Sequence, residues 1–116
     1  MKLFYSPFHT FIHKVLVTIH EAGLWGEITF VPTYPFKNRD GEDQGDAYSI
    51  AALNPLDKVP TLALDSGQVV FGSQAVVECL DSMSKSGSNL YPPVGPDRWD
   101  AVSRLALADT MFETTV

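Results

Sequence analysis

The sequence contains a single cysteine, Cys79, among its 116 residues. One thiol cannot form an internal disulfide, a CxxC redox pair or a cysteine-rich metal site. Long apolar runs are also missing: none approaches membrane-spanning length, and the apolar stretch before Ser6 is too short for a signal peptide. We therefore expect a cytoplasmic protein without a metal.

Basic residues are scarce too. The 8 Lys and Arg residues stand against 14 Asp and Glu, which gives a formal net charge of -6 and a pI near 4.8. The net field repels nucleic-acid backbones and anionic membranes, and no basic cluster offsets it. We expect neither nucleic acid nor a membrane as a partner.

What the sequence does contain is enough apolar material for one compact domain, since 45% of the residues are hydrophobic. Leu3 to Tyr5 predicts a short buried strand, and Thr10 to Ala22 has apolar residues at the spacing of one helix face. Gly23 is a natural stop for that helix. The β-branched and aromatic segment Glu27 to Val31 predicts a second strand, which Pro32 ends. This order favours a strand-helix-strand unit with a right-handed crossover.

The second half of the α/β pattern is a hairpin followed by a helix. Thr61 to Leu64 and Val69 to Phe71 predict two short strands, and the Asp-Ser-Gly-Gln sequence between them is typical of an antiparallel turn. Ser73 is predicted to cap the next helix, whose apolar face includes Val76, Val77 and Leu80, with Cys79 alongside. The polar stretch Thr33 to Asp46 predicts a long loop.

The last third of the chain indicates a separate unit. Residues 84–96 are rich in Ser, Gly and Pro and predict a linker, after which a second amphipathic pattern includes Trp99, Leu105 and Phe112. No stop signal follows, so we expect the chain to be a fragment, or another element to cover Trp99 and Phe112. The predicted organisation is an α/β domain over 1–83, a linker over 84–96 and a first helix of an all-α domain over 97–116.

Taken together, these segments resemble the N-terminal thioredoxin-like domain of bacterial-type glutathione S-transferases. The likeness lies in "LFYSP", "NPLDKVPTL", "FGSQAVVECL" and "LYPP" before "RWDAVSRLALAD", and it covers nearly the whole chain except Tyr34 to Asp46. It implies an α/β fold, βαβ then ββα with a mixed four-stranded sheet, followed by the start of an all-α domain. It also implies a homodimeric transferase that conjugates glutathione, its cosubstrate, to a small electrophile without a metal.

The Val59-Pro60 pair lies just before the predicted third strand. Proline restricts Val59 to an extended conformation, which leaves the backbone N–H and C=O of Val59 directed sideways for a ligand backbone. In the family this proline is cis and presents that edge to the cysteinyl part of glutathione. The alternative is a plain turn before a strand. Lys58 either approaches a glutathione carboxylate or is simply solvated.

The predicted helix start at Ser73 has N–H groups without internal partners and a dipole that favours an anion. In the family the matching serine holds the γ-glutamyl carboxylate, while the alternative is that Ser73 only caps its own helix. The preceding position is commonly acidic in the family but is Gly72 here. The resemblance therefore implies weaker glutathione binding than in a typical member, unless a residue from the missing domain or from a second subunit supplies the acid.

The stretch "YSPFHTFIHKV" leads into the first helix, where the family holds the glutathione sulfur with Tyr, Ser or Cys. An ungapped alignment places His9 at that position, where it could donate a hydrogen bond or take the thiol proton. Ser6 and Thr10 are alternative hydroxyl donors, and His9 could also be merely exposed. His13 and His20 are predicted to lie on the surface. The leading hypothesis is a glutathione transferase; the alternative is a non-catalytic glutathione-binding or protein-interaction module.

Overall fold

The computed structural model describes residues 1–7, 11–33, 59–87 and 89–115, the last four of these as backbone only. His9, Thr10, Lys58 and the predicted loop at 34–46 lie outside the described residues. The described elements are, in chain order, β1 (Lys2–Tyr5), α1 (Ile12–Glu21), a 3₁₀ turn (Trp25–Glu27), β2 (Thr29–Pro32), β3 (Thr61–Ala63), β4 (Val69–Phe71), α2 (Ser73–Ser82) and α3 (Pro96–Thr115).

The four strands form one sheet in the order β2-β1-β3-β4. β1 and β2 are parallel, whereas β3 pairs antiparallel with both β1 and β4. This mixed sheet, with a helical crossover between β1 and β2 and a helix after the β3-β4 hairpin, is the predicted thioredoxin-like α/β fold. That prediction is confirmed.

The core lies between the sheet and the two short helices. α1 contributes Ile12, Val15 and Ile19, and all three are buried, as their spacing along one helix face predicts. Val76, Val77 and Leu80 of α2 are buried in the same cluster, together with Leu3 of β1 and Leu62 of β3. His13 and His20 are exposed on the opposite side of α1, which confirms the sequence prediction.

Several element boundaries differ from the sequence predictions by one or two residues. α1 begins at Ile12, two residues later than predicted, and Glu27 belongs to a 3₁₀ turn, so that β2 begins at Thr29. Pro32 is the last residue of β2 and pairs with Tyr5. A proline is tolerated there because β2 is an edge strand, where one missing backbone donor can face away from the sheet.

The prediction that Ser73 caps α2 is wrong. Gly72 occupies the N-cap position, with φ at 90° and ψ at 129°, and no side-chain hydrogen bond from a described residue caps the helix. Glycine adopts this backbone conformation readily, whereas residues with a Cβ rarely do. Ser73 is therefore the first residue of the helix itself.

The chain after α2 is attached to the α/β unit by hydrogen bonds. The amide of Lys85 donates to the carbonyl of Ala22 over 2.7 Å, and the buried Asp81 carboxylate accepts from the amides of Leu90 and Tyr91 over 2.6 and 3.1 Å. α3 then packs Val102 and Leu105 against the core cluster, while Trp99 is 60% exposed. The division into domains at 83 and 96 stays a prediction.

Candidate functional site

One row of paired residues crosses three strands of the sheet and defines an edge. Phe4 of β1 pairs with Thr61 of β3, which in turn pairs with Phe71 of β4. β1 ends one residue beyond this row, whereas β4 ends and β3 begins at the row itself. Antiparallel neighbours place the end of one strand beside the beginning of the next. The residues that flank the row along the chain, including Ser6, Pro60 and Gly72, therefore lie at the same edge.

The segment before β3 presents backbone groups at this edge. The Val59–Pro60 peptide bond is cis, and both residues are buried. Val59 precedes the paired residues of β3, and its backbone N–H and C=O have no hydrogen-bond partner among the residues that the structure describes. An extended ligand backbone can pair with such groups in the manner of an added strand.

The start of α2 presents donors at the same edge. The first hydrogen bond of the helix runs from the amide of Val76 to the carbonyl of Gly72 over 2.9 Å. The amides of Ser73, Gln74 and Ala75 precede this bond and so have no partner within the helix. With the positive end of the helix dipole, three such amides form a ready site for a carboxylate.

The backbone conformation at Gly72 disfavours an acidic side chain at this position. A Cβ built at this position would meet nothing within 4 Å, so space is not the restriction. The restriction is the backbone conformation, because φ of 90° with ψ of 129° lies outside the αL region and residues with a Cβ rarely adopt it. An acidic residue at position 72 would therefore strain this backbone.

The end of β1 is held in place by its neighbour β2. The carbonyl of Tyr5 accepts a hydrogen bond from the amide of Thr33 over 2.7 Å, and the Tyr5 ring packs edge-on against Phe30 at a centroid distance of 6.0 Å. Ser6 follows directly and is half-buried. Of the residues predicted for the sulfur contact, Ser6 is thus at the edge, whereas His9 and Thr10 lie outside the described residues.

The structure brings five of the eight predicted site residues to one edge, namely Ser6, Val59, Pro60, Gly72 and Ser73. Gln74 was not predicted, although its half-buried side chain and its amide lie next to Ser73. Its position directly after a residue that begins a helix is the signal that could have identified it.

Cys79 does not belong to this edge. It lies on α2, half-buried against the core, and burial raises the pKa of its thiol. A raised pKa favours the protonated thiol, which is the less nucleophilic form. Among the described residues, no cluster of three His, Cys, Asp or Glu side chains could hold a metal ion. None of the described helices is long and apolar enough to cross a membrane.

A cis-proline before an antiparallel hairpin, beside an open helix start on a mixed sheet, defines this domain as thioredoxin-like. The family model of the glutathione S-transferase N-terminal domain matches residues 8–83. The chain therefore belongs to the glutathione S-transferase family.

Solved structures of bacterial members are similar to the chain. A glutathione transferase family member from Pseudomonas fluorescens Pf-5 with bound glutathione is 31% identical, with a TM-score of 0.74 over 93% of this chain and 49% of that one. A glutathione S-transferase from Methylobacillus flagellatus KT with glutathione bound is 26% identical, with a TM-score of 0.73 over 93% and 48%. The beta-class enzyme of Sphingomonas chungbukensis is 28% identical, with a TM-score of 0.70 over 91% and 49%.

The chain thus spans about half the length of these solved relatives. No curated protein matches it significantly.

Proposed function

We propose that this chain is the glutathione-binding part of a glutathione transferase, which binds glutathione and activates its thiolate for conjugation to a small electrophile. The observation that carries the proposal is the meeting, at one sheet edge, of the start of α2 and the Val59 backbone, which has no partner among the described residues. The Val59 backbone can pair with a peptide backbone, and the amides at the start of α2 can bind a carboxylate. Glutathione offers both of these groups.

In the proposed binding mode, the cysteinyl part of glutathione pairs with the backbone of Val59, beside Pro60. The γ-glutamyl carboxylate accepts hydrogen bonds from the amides and hydroxyl at Ser73, next to Gly72. Lys58 is proposed to approach a second carboxylate. Because Gly72 carries no acid for the γ-glutamyl ammonium, we expect weaker binding than in members with an acidic residue at this position.

The sulfur is proposed to lie at the start of α1, near His9, with Ser6 and Thr10 as alternative donors. A free thiol titrates near pH 8.5, and lowering its pKa by two units takes about 3 kcal/mol of preference for the thiolate. One donor together with the helix dipole supplies energy of about that order. A directed thiolate then adds to the electrophile or displaces its leaving group.

Two of the solved relatives, from P. fluorescens and M. flagellatus, contain glutathione, which supports glutathione as the cosubstrate. The bound peptide would be the nucleophile, so the proposed reaction needs no metal. A homodimer in the cytoplasm is the proposed working form, and the electrophile would be a small molecule.

Titration of reduced glutathione, followed by amide NMR, tests the binding mode. We expect resonances of Val59, Ser73 and Gln74 to shift, and Ser73→Ala to weaken binding by about two- to tenfold, the value of one hydrogen bond. Ser103→Ala is the matched control, since Ser103 is exposed on α3. Unshifted resonances at Val59 and Ser73 would refute the proposed mode.

Turnover of a chromogenic electrophile tests the catalytic part. We expect His9→Ala to lower the rate about 100-fold or more while glutathione still binds, because acid-base and hydrogen-bond assistance to the sulfur is lost. The same assay applies to the full-length gene product. Glutathione binding without any turnover would instead favour the non-catalytic binding module.

A further inference from the structure

The helix α3 is ion-paired to both short helices of the α/β unit. The Lys14 ammonium on α1 contacts both carboxylate oxygens of Asp109 at 2.7 Å, and Arg98 contacts Glu78 on α2 at 2.8 Å. The Lys14 and Asp109 side chains are only 20% and 18% exposed. By contrast, the Arg104–Asp100 pair within α3 is 80% and 64% exposed at 3.2 Å. Because the Lys14–Asp109 pair is shielded from solvent and involves both carboxylate oxygens, it holds α3 against α1 more strongly than an exposed pair would.

Lys14 lies in the first turn of α1, where a cation is unfavourable. The helix dipole places partial positive charge at this end, and no acidic side chain lies in the first turn. The Asp109 carboxylate provides the missing negative charge from another helix. It therefore offsets the repulsion between Lys14 and the start of α1.

The same ammonium also lies near Phe11, the residue just before α1. Lys14 Nζ lies 5.1 Å from the centroid of the Phe11 ring, a cation–π distance, and Phe11 is the N-cap of α1. Within the part of the chain that the structure describes, no side-chain hydrogen bond caps this end of α1. Helix ends fray readily, so contacts from another helix contribute to how well this end is ordered.

We propose that Asp109 is a positioning residue for the glutathione site: it holds Lys14 and, through Lys14, orders the start of α1. This inference rests on the proposed function, which assigns the glutathione sulfur to that helix start. Helix α3 would thereby make thiolate formation depend on the segment that follows the α/β unit.

The test compares Asp109→Asn with Asp100→Asn, the same substitution at the exposed pair on the same helix. Three quantities are measured for each: amide hydrogen exchange along α1, the glutathione dissociation constant, and the thiol pKa of bound glutathione from thiolate absorbance. We expect Asp109→Asn to speed exchange in α1, to weaken glutathione about fivefold, and to shift the thiol pKa. Asp100→Asn should match the wild type in all three.

Exchanging the charges of Lys14 and Asp109 distinguishes a positioning role of this pair from a simple loss of stability. Lys14→Asp and Asp109→Lys should each weaken glutathione binding, whereas the double variant should regain most of it because the pair is restored in reverse. A double variant no better than either single one would overturn the proposal.

The two proposals fail in different ways. Wild-type protein that does not bind glutathione refutes the proposed function and, with it, the role of Asp109 in sulfur positioning. A second outcome is that the wild-type protein binds glutathione, while Asp109→Asn and Asp100→Asn have the same hydrogen exchange, glutathione affinity and thiol pKa. That outcome refutes the positioning role alone.

Discussion

Tyr91 is a buried residue whose polar group has no partner. The side chain is 8% exposed, and its hydroxyl makes no hydrogen bond within the part of the chain that the structure describes. The ring faces Arg98, whose guanidinium carbon lies 5.2 Å from the ring centroid. Burial, with the nearby Glu78 and Asp81 carboxylates, raises the pKa of Tyr91 to about 12. The ring rather than the hydroxyl therefore stabilises this position.

We predict that Tyr91→Phe unfolds with a free energy within about 1 kcal/mol of the wild type at neutral pH, since no buried hydrogen bond is lost. The raised pKa favours the neutral phenol in the folded state. The stabilisation that the neutral Tyr91 phenol contributes to the folded state is complete below the ordinary pKa of 10.0 and is lost as pH rises to about 12. Wild-type stability should therefore fall more steeply than that of Tyr91→Phe over this interval.

Urea unfolding at pH 7 and at steps from pH 10 to 12 measures this difference. Tyr91→Leu is the companion variant, which removes the ring as well and should lose the packing and the cation–π contact. Equal pH slopes for wild type and Tyr91→Phe would contradict the prediction.

At the scale of elements, Asp81 links α2 to the segment that precedes α3. The carboxylate is 5% exposed and accepts hydrogen bonds from the amides of Leu90 and Tyr91 at 2.6 and 3.1 Å. Charge-assisted bonds of this kind orient the chain after α2 and bring Tyr91 into the core cluster. The position of α3 therefore depends on one carboxylate nine residues before Leu90.

We predict that Asp81→Ala lowers the free energy of unfolding by about 3 kcal/mol, because the buried Tyr91 amide and the partly buried Leu90 amide lose their acceptor. Asp81→Asn should cost less, since one amide oxygen still accepts. Asp100→Ala, at an exposed position, should change stability by less than about 0.5 kcal/mol. Chemical denaturation of the three variants measures their free energies of unfolding. Similar free energies for Asp81→Ala and Asp100→Ala would show that the buried Asp81 carboxylate does not hold the segment before α3.

At the scale of the whole molecule, the candidate site depends on several elements at once. The Val59 backbone comes from the segment before β3, the donors come from α2, and the proposed sulfur contact comes from the start of α1. α3 is ion-paired to both of these helices, through Asp109 and Arg98. Changes in α3 are therefore expected to reach the site without contacting the ligand.

The candidate site could be predicted only in part. Val59, Pro60 and Ser73 were named from proline chemistry, helix-end chemistry and resemblance, and the structure brings them to one edge. Their roles, like those of His9 and Lys58, stay predictions. The cap at Gly72 could not be predicted, because a serine beside a glycine fits the N-cap and the first helical turn equally well until the backbone angles are known.

The sequence by itself determined the kind and order of the elements and which helix faces are buried, because periodicity, β-branched residues and turn chemistry act over a few neighbouring positions. Only the tertiary structure decided that Lys14 meets Asp109, 95 positions away, and that Asp81 receives the amides before α3. Such pairs depend on where whole helices come to lie, and a charged residue at the surface of a helix carries no local signal of its distant partner.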